Sequence, residues 1–436
     1  MELEKNRQTE IVEPYKLPAG WKWCKQSEVC KLVDGEKIAD KEYPYLEVKY
    51  LRGTKEKSFV TSGKLIKKGT KVILVDGENS GEVFAIHEDG YMGSTFKALS
   101  IENVDENYLQ YFITTKKDLY RNNKKGSAIP HLNKDLFKNM PFPLPPTLAE
   151  QQRIVNRVET MFAKLDEAKE KAQNVVDSFE TRKAAILHKA FTGELTANWR
   201  KENNPEESSK YLEKIKDKVE IRLDFKYWEN TKLPESWCES TIGNLLYFAG
   251  RVGWKGLKAE EYTSEGPILL SVYNLNDGDE VSFNKINHIT NERYDESPEI
   301  MVRKNDILLT KDGAGIGKLG YVNELPEKAT INSSLLLIRS GDVANYKFIF
   351  YLLSGPALQN IVKERITGSA TPHLFQRDIK EFVLPVPSLP EQQEIVRILD
   401  TVLEKESRAK EAAQTVLDQI ALLKKSILAR AFRGEL

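Results

Sequence analysis

TLAEQQRIVNRVETMFAKLDEAKEKAQNVVDSFETRKAAILHKAFTGEL, residues 147–195, decides the fold because the chain carries it twice. From residue 388 the sequence runs SLPEQQEIVRILDTVLEKESRAKEAAQTVLDQIALLKKSILARAFRGEL and reaches the same Gly-Glu-Leu at Leu436. A long internal repeat has to be read before anything else, since missing it misassigns the architecture. In the first copy apolar residues recur at alternating spacings of four and three through Ile154, Val158, Met161, Leu165, Ala168, Ala172, Val175 and Phe179. The second copy answers with Ile395, Leu399, Val402, Ala409, Ala413, Val416, Ile420, Leu423 and Ile427. This spacing predicts a coiled-coil seam sustained for about five heptads, and helices roughly 60 to 70 Å long at about 1.5 Å per residue. Thr147 with Glu150, and Ser388 with Glu391, read as capping boxes at the helix starts. Antiparallel pairing of the copies brings the two polar breaks in the seam, Arg182 and Glu406, close together, and an ion pair between them is predicted to fix the register.

With 436 residues the chain is long enough for two or three domains. Its 65 basic and 65 acidic residues cancel, so any contact with a polyanion has to come from local patches. The charge is uneven: segment 17–146 carries about +4 and segment 233–384 about −4. Cys24, Cys30 and Cys238 have no metal-ligand spacing and read as reduced core thiols. The N-terminus lacks an apolar leader core, and no run has the length of a membrane span, so a cytoplasmic protein without a membrane partner is expected.

The repeat extends beyond the helices. Each half opens on Leu-Pro-x-x-Trp (Leu17 and Leu233), passes through a body of short β-like runs, and reaches Gly-Ser-Ala-x-Pro-His-Leu at 126–132 and 368–374. The expected fold class is α+β: two mixed α/β domains separated by a long antiparallel two-helix coiled coil, with a pseudo-two-fold internal repeat. The boundaries read as a lead-in at 1–16, a first domain at 17–146, a central helix at 147–195, a charged linker at 196–232, a second domain at 233–387 and a C-terminal helix at 388–436. The bodies differ in length and sequence while their ends match, as expected if the ends do one mechanical job and the middles recognise different things. In each body a hairpin surrounds a glycine-containing turn, Asp76–Gly81 and Asp312–Gly317.

Gly315-Ile-Gly317-Lys-Leu-Gly320 matches GxGxxG, but it lies between two strand-like runs with no helix to receive a phosphate, which argues against a dinucleotide site. The chain has no Asn-Pro-Pro-Tyr of the kind amino-methyltransferases use, no helical histidine pair for zinc and no convincing nuclease cluster. It is therefore expected to be non-catalytic, with no metal. Candidate DNA contacts are the residues suited to phosphates and base edges at loop tips. In the first body these are Lys49, Tyr50 and Arg52, then Asn79 and Ser80 on the turn, then Lys124, Ser127 and His131. In the second they are Arg251, Trp254 and Lys255, then Tyr273 and Asn274 after a strand, Lys311 and Lys318 flanking the turn, and Ser369, Thr371 and His373. For the histidines, shaping a loop after a proline is an equally good reading.

Taken together the chain resembles the specificity subunits of type I restriction-modification enzymes. The resemblance rests on the Leu-Pro-x-x-Trp openings, the Asp-Ile-Leu-Leu run with its glycine turn (306–317), the Gly-Ser-Ala-x-Pro-His-Leu segments, the Pro-x-x-x-Glu-Gln-Gln-x-Ile-Val helix start (146–155) and the Ala-Phe-x-Gly-Glu-Leu endings. It covers nearly the whole chain and departs most at the first turn, which lacks the Ile-Gly of the second. It implies a non-catalytic subunit that reads a split, asymmetric double-stranded DNA sequence and docks two adenine-methylating modification subunits, joined in the full complex by restriction/translocase subunits. No cofactor is then bound by this chain: S-adenosylmethionine belongs to the modification subunits, ATP and magnesium to the restriction subunits. The residues alone leave two other readings, a tandem-repeat scaffold that binds only proteins, and a self-contained methyltransferase or nuclease, which the missing motifs oppose.

Overall fold

Both copies of the repeat are helical, but they are not alike. The second forms one uninterrupted helix, Leu389–Phe432, whereas the first is divided into Leu148–Asp177 and Phe179–Phe191. The computed structural model describes residues 13–125, 130–209, 232–251, 257–275, 279–313, 315–342, 344–365, 373–374 and 379–436. The chain forms two units, one of Met1–Asn174 with Ala412–Leu436, the other of Val175–Glu411.

The division of the first helix at Ser178 is filled by Arg182. Its Nη2 donates to the Val175 carbonyl at 3.2 Å, its Nη1 to the Ser178 hydroxyl, and its Nε to Glu406 Oε2 at 2.7 Å. In each unit the helical segments run antiparallel. Arg153 reaches the Leu436 carbonyl and Lys424 reaches Asp166 in the first unit, while Arg182 meets Glu406 and Lys410 lies 3.8 Å from Glu180 in the second. The seam on the C-terminal helix departs from the expected one. Ala409, Val416 and Leu423 are exposed, and Lys410 and Lys424 face the partner helix. Their ammonium groups lie over aromatic rings, Lys410 4.2 Å from the Phe179 centroid and Lys424 4.8 Å from that of Phe162. A lysine stem can cover apolar surface while its charge reaches an acid, so these positions serve the seam although hydropathy marks them polar.

The capping boxes form only in part. The Thr147 hydroxyl accepts the Glu150 N–H at 3.2 Å, but the Glu150 carboxylate turns to Arg153. The Ser388 hydroxyl is buried with no hydrogen-bond partner among the described residues.

In the first unit a four-stranded antiparallel sheet has the order Cys30–Val33, Phe96–Ile101, Lys71–Leu74, Val83–Ala85; in the second, the order Tyr247–Gly250, Leu335–Arg339, Ile307–Thr310, Leu319–Tyr321 plays the same part. Each unit also has a two-stranded ribbon in matching register, Lys22 opposite Leu144 and Cys238 opposite Val386. The remaining sheets differ: five strands around Gly90–Met92 in the first unit, three around Thr263–Leu270 in the second. The helical stretches of the bodies are each divided as well, at Lys116 between Glu106–Thr115 and Lys117–Asn122, and at Gly355 between Tyr346–Ser354 and Pro356–Arg365.

The repeated ends are structural staples. A Cβ on Gly434 would lie 2.2 Å from Pro18 Cγ, and one on Gly193 2.5 Å from Pro234 Cγ, so each Gly-Glu-Leu ending packs on the Leu-Pro opening of the other half. The phenylalanines of Ala-Phe-x-Gly-Glu-Leu enter the cores, Phe432 against Tyr108 and Phe112, Phe191 against Phe348. Buried Gln151 and Gln392 accept the backbone N–H of Asp105 and Asn345, whose own side chains cap the following body helices. The start of the expected linker is part of the second unit: helix Ala197–Asn203 carries Arg200 onto Glu391, while residues 210–231 lie outside the described residues. Cys24, Cys30 and Cys238 are free thiols, and burial pushes Cys24 and Cys30 up to about 12. Among the described residues no helix is long and apolar enough to cross a membrane.

Candidate nucleic-acid interface

Two hairpin turns present the same backbone from dissimilar sequences. In the first unit Lys71–Leu74 returns through Val83–Ala85, and in the second Ile307–Thr310 returns through Leu319–Tyr321. The turns close on equivalent bonds: Gly81 N–H to Leu74 O at 2.7 Å and Gly317 N–H to Thr310 O at 3.0 Å, with Leu74 N–H to Glu82 O and Thr310 N–H to Lys318 O both at 2.8 Å. Gly77 and Gly313 stand at the same place with φ of +99° and +86°, a left-handed conformation that glycine adopts without cost. The first turn, which lacks the Ile-Gly pair in sequence, therefore has Ser80-Gly81 where the second has Ile316-Gly317.

Against each turn lies the Pro-His-Leu segment. Leu132 N–H donates to Val75 O at 2.7 Å and Leu374 N–H to Lys311 O at 2.9 Å. This backbone pairing brings His131 Nδ1 to 2.6 Å from Asp76 Oδ1, and His373 Nδ1 onto Asp312 Oδ1. Asp76 and Asp312 were not among the sequence candidates. Their only signal is that both precede the turn glycine, as Asp76-Gly77 and Asp312-Gly313.

Of the first body's candidates, Lys49 is exposed on the short helix Val48–Leu51, Tyr50 hydrogen-bonds Glu88, and Arg52 pairs with Glu82. Asn79 is half-buried on the turn, and Lys124 bonds Glu78 at 2.6 Å. Ser80 is a correction: it is wholly buried, in the place that Ile316 holds in the other turn. In the second body Tyr273 is the most exposed large apolar side chain among the described residues, at 79 %. A Cβ on Gly315 would lie 3.0 Å from Val272 Cγ1, so the Tyr273 segment adjoins the glycine turn. Lys318 is exposed on that turn and Lys311 bonds Asp312 at 2.8 Å. Arg251 and Asn274 are corrections. Arg251 is buried and donates to Ile331 O and Thr330 Oγ1. Asn274 is buried with its amide spent on Ser271, Ser282 O and Lys285 O. The amide of Asn274 is fully used, and Arg251 Nη1, which has no hydrogen-bond partner among the described residues, is itself buried away from DNA. Ser127, Trp254, Lys255, Ser369 and Thr371 lie outside the described residues.

The lysine groups of the first body are less basic as surfaces than as sequence. Lys55, Lys57, Lys64, Lys67, Lys97 and Lys125 each have an acidic partner. Lys71 is buried on Asn107 and Gln110, and desolvation lowers its pKa. Exposed ion pairs contribute at most about 1 kcal/mol, so the surface lysines can exchange a carboxylate for a phosphate at little cost. Among the described residues no group of three or more metal-ligating side chains is present.

The model of the type I restriction modification DNA specificity domain matches residues 18–177 and 254–416. The chain belongs to the type I restriction-modification DNA specificity domain family. The specificity subunit of the Escherichia coli EcoBI enzyme is 30 % identical over 72 % of this chain and 62 % of its own length. That of MjaVIII from Methanocaldococcus jannaschii is 24 % identical over 100 % of this chain and 97 % of its own. Two solved structures share the fold of this specificity chain. One is from a study of complex assembly and conformational transition of the type I system (TM-score 0.69, 17 % identity, 97 % of this chain and 100 % of that one). The other is the HsdS subunit of Thermoanaerobacter tengcongensis (TM-score 0.59, 18 % identity, 97 % and 99 %). Specificity subunits are the non-catalytic, DNA-recognising components of type I systems, and DNA sequence recognition is the role this specificity chain takes from its family.

Proposed function

We propose that this chain reads a split, asymmetric DNA sequence for a type I restriction-modification complex, one half-site through each body. The observation that carries the reading is that the specificity domain matches two separate stretches, 18–177 and 254–416, each with its own hairpin turn and Asp–His pair. Two reading surfaces on unlike bodies fit two unlike half-sites. Within the proposal the two long helices act as an antiparallel coiled-coil ruler that sets the unread spacer, and the Arg182–Glu406 pair holds their register. Exposed Val416, Leu422 and Leu423 on the C-terminal helix support docking of two modification subunits. Those subunits bring S-adenosylmethionine and methylate adenine; restriction/translocase subunits bring ATP and magnesium. The complex works on double-stranded DNA in the cytoplasm.

The test is a genome-wide map of modified adenines in cells with and without this chain. The expected result is one bipartite motif that is methylated only when the chain is present. An unchanged map overturns the reading, and a motif without an unread spacer overturns the ruler.

A further inference from the structure

We propose that His131 donates an Nε2–H to a DNA phosphate, and that Asp76 is the positioning residue that holds the ring for it; the inference rests on the DNA-reading role above. His131 Nδ1 lies 2.6 Å from Asp76 Oδ1, and the side chains keep 53 % and 32 % of their surface exposed. In the second unit the same pair is formed by His373 and Asp312, at 34 % and 24 %. With a carboxylate on Nδ1, that nitrogen carries its hydrogen, and Nε2 becomes the edge turned away from the pair. Among the described residues His131 Nε2 has no hydrogen-bond partner.

The identity of the acceptor follows from the repeat. The bodies differ in sequence and in the sheets beside the shared one, yet both place an Asp–His pair on the same turn by the same backbone bond, Leu132 N–H to Val75 O and Leu374 N–H to Lys311 O. Surfaces that read different bases have in common only the contacts that carry no sequence information, and those go to the sugar-phosphate backbone. Phosphate oxygens only accept, so a ring that donates Nδ1–H to the Asp carboxylate meets one with a second hydrogen on Nε2. The other charges around His131 are already matched, Lys124 with Glu78 and Lys125 with Asp135; beside His373, Lys311 also bonds Asp312.

The test uses the full-length chain assembled with its modification subunits, and a duplex bearing the motif found by methylation mapping. Asparagine can reproduce Nδ1 but has nothing at Nε2. H131N should weaken binding about tenfold, the loss expected for a hydrogen bond between charged groups. It should also flatten the log–log salt slope by about 0.9, one phosphate, with an unchanged melting temperature. If H131N binds like wild type with the wild-type slope while H131A is weakened, the pair only staples the loop and the proposal is overturned; wild-type affinity and slope in every variant overturn it too. If the wild-type assembly shows no preference for the motif duplex, the DNA-reading role itself has failed.

Discussion

Glu150 and Glu391 stand at the same place in the two Glu-Gln-Gln starts and have opposite surroundings. Glu391 is fully buried and accepts from Thr196 Oγ1 at 2.7 Å, Arg200 Nη1 at 2.6 Å and Trp237 Nε1 at 2.9 Å. Glu150 is only half-buried and holds the exposed Arg153 one turn away. Truncating one partner of a buried, hydrogen-bonded ion pair leaves the other uncompensated, at about 3–5 kcal/mol, whereas an exposed pair within one turn contributes less than about 1 kcal/mol. E391A should therefore lower the thermal unfolding midpoint of the full-length chain sharply, and E150A should hardly move it. Equal shifts would show that the buried network contributes no more than its surface counterpart. Sequence shows the two glutamates as equivalent, because what separates them is a helix, Ala197–Asn203, arriving from the far side of the repeat. The Asp–His pairs escaped the sequence for a related reason: their members lie 55 and 61 residues apart. Ser80, Arg251 and Asn274 have the chemistry of DNA contacts but lie inside, and residue type alone does not report burial.

Periodicity found the helices and misplaced part of one seam. The alternation of four and three identified both elements, yet Val416 and Leu423 are exposed while Lys410 and Lys424 turn inward over Phe179 and Phe162. A hydropathy pattern counts lysine as polar and cannot register a stem lying on an aromatic face. The division at Ser178 was likewise silent, since the sequence carries no proline or glycine there and the arginine that fills the gap sits four residues on. The misplaced residues have a consequence of their own. Leu422 and Leu423, 67 % and 48 % exposed on one helix, form apolar surface open to solvent. L422E/L423E should leave the far-ultraviolet melting curve unchanged and abolish co-purification with the modification subunits. Retained co-purification would place the docking surface elsewhere.

At the scale of the whole molecule the repeat was legible because matching ends are separated by unlike bodies, and that arrangement gives the proposed ruler its sharpest test. Seven residues inserted at facing positions of both long helices preserve the heptad phase of the seam and add about 10 Å. At about 3.4 Å per base pair this corresponds to roughly three base pairs of spacer. DNA turns about once every 10 base pairs, so three extra pairs rotate one half-site by roughly a third of a turn. Two-stranded coiled coils complete a supercoil only over about 150 Å, and the added heptad rotates the protein far less. The variant should thus methylate a motif with both half-sites unchanged and a spacer about three base pairs longer, more slowly than wild type because DNA or protein must twist to restore the phase. Sequencing of modified adenines reads all three quantities. An unchanged spacer would mean that contacts outside the helices set the distance; an altered half-site would mean that the helices take part in reading bases.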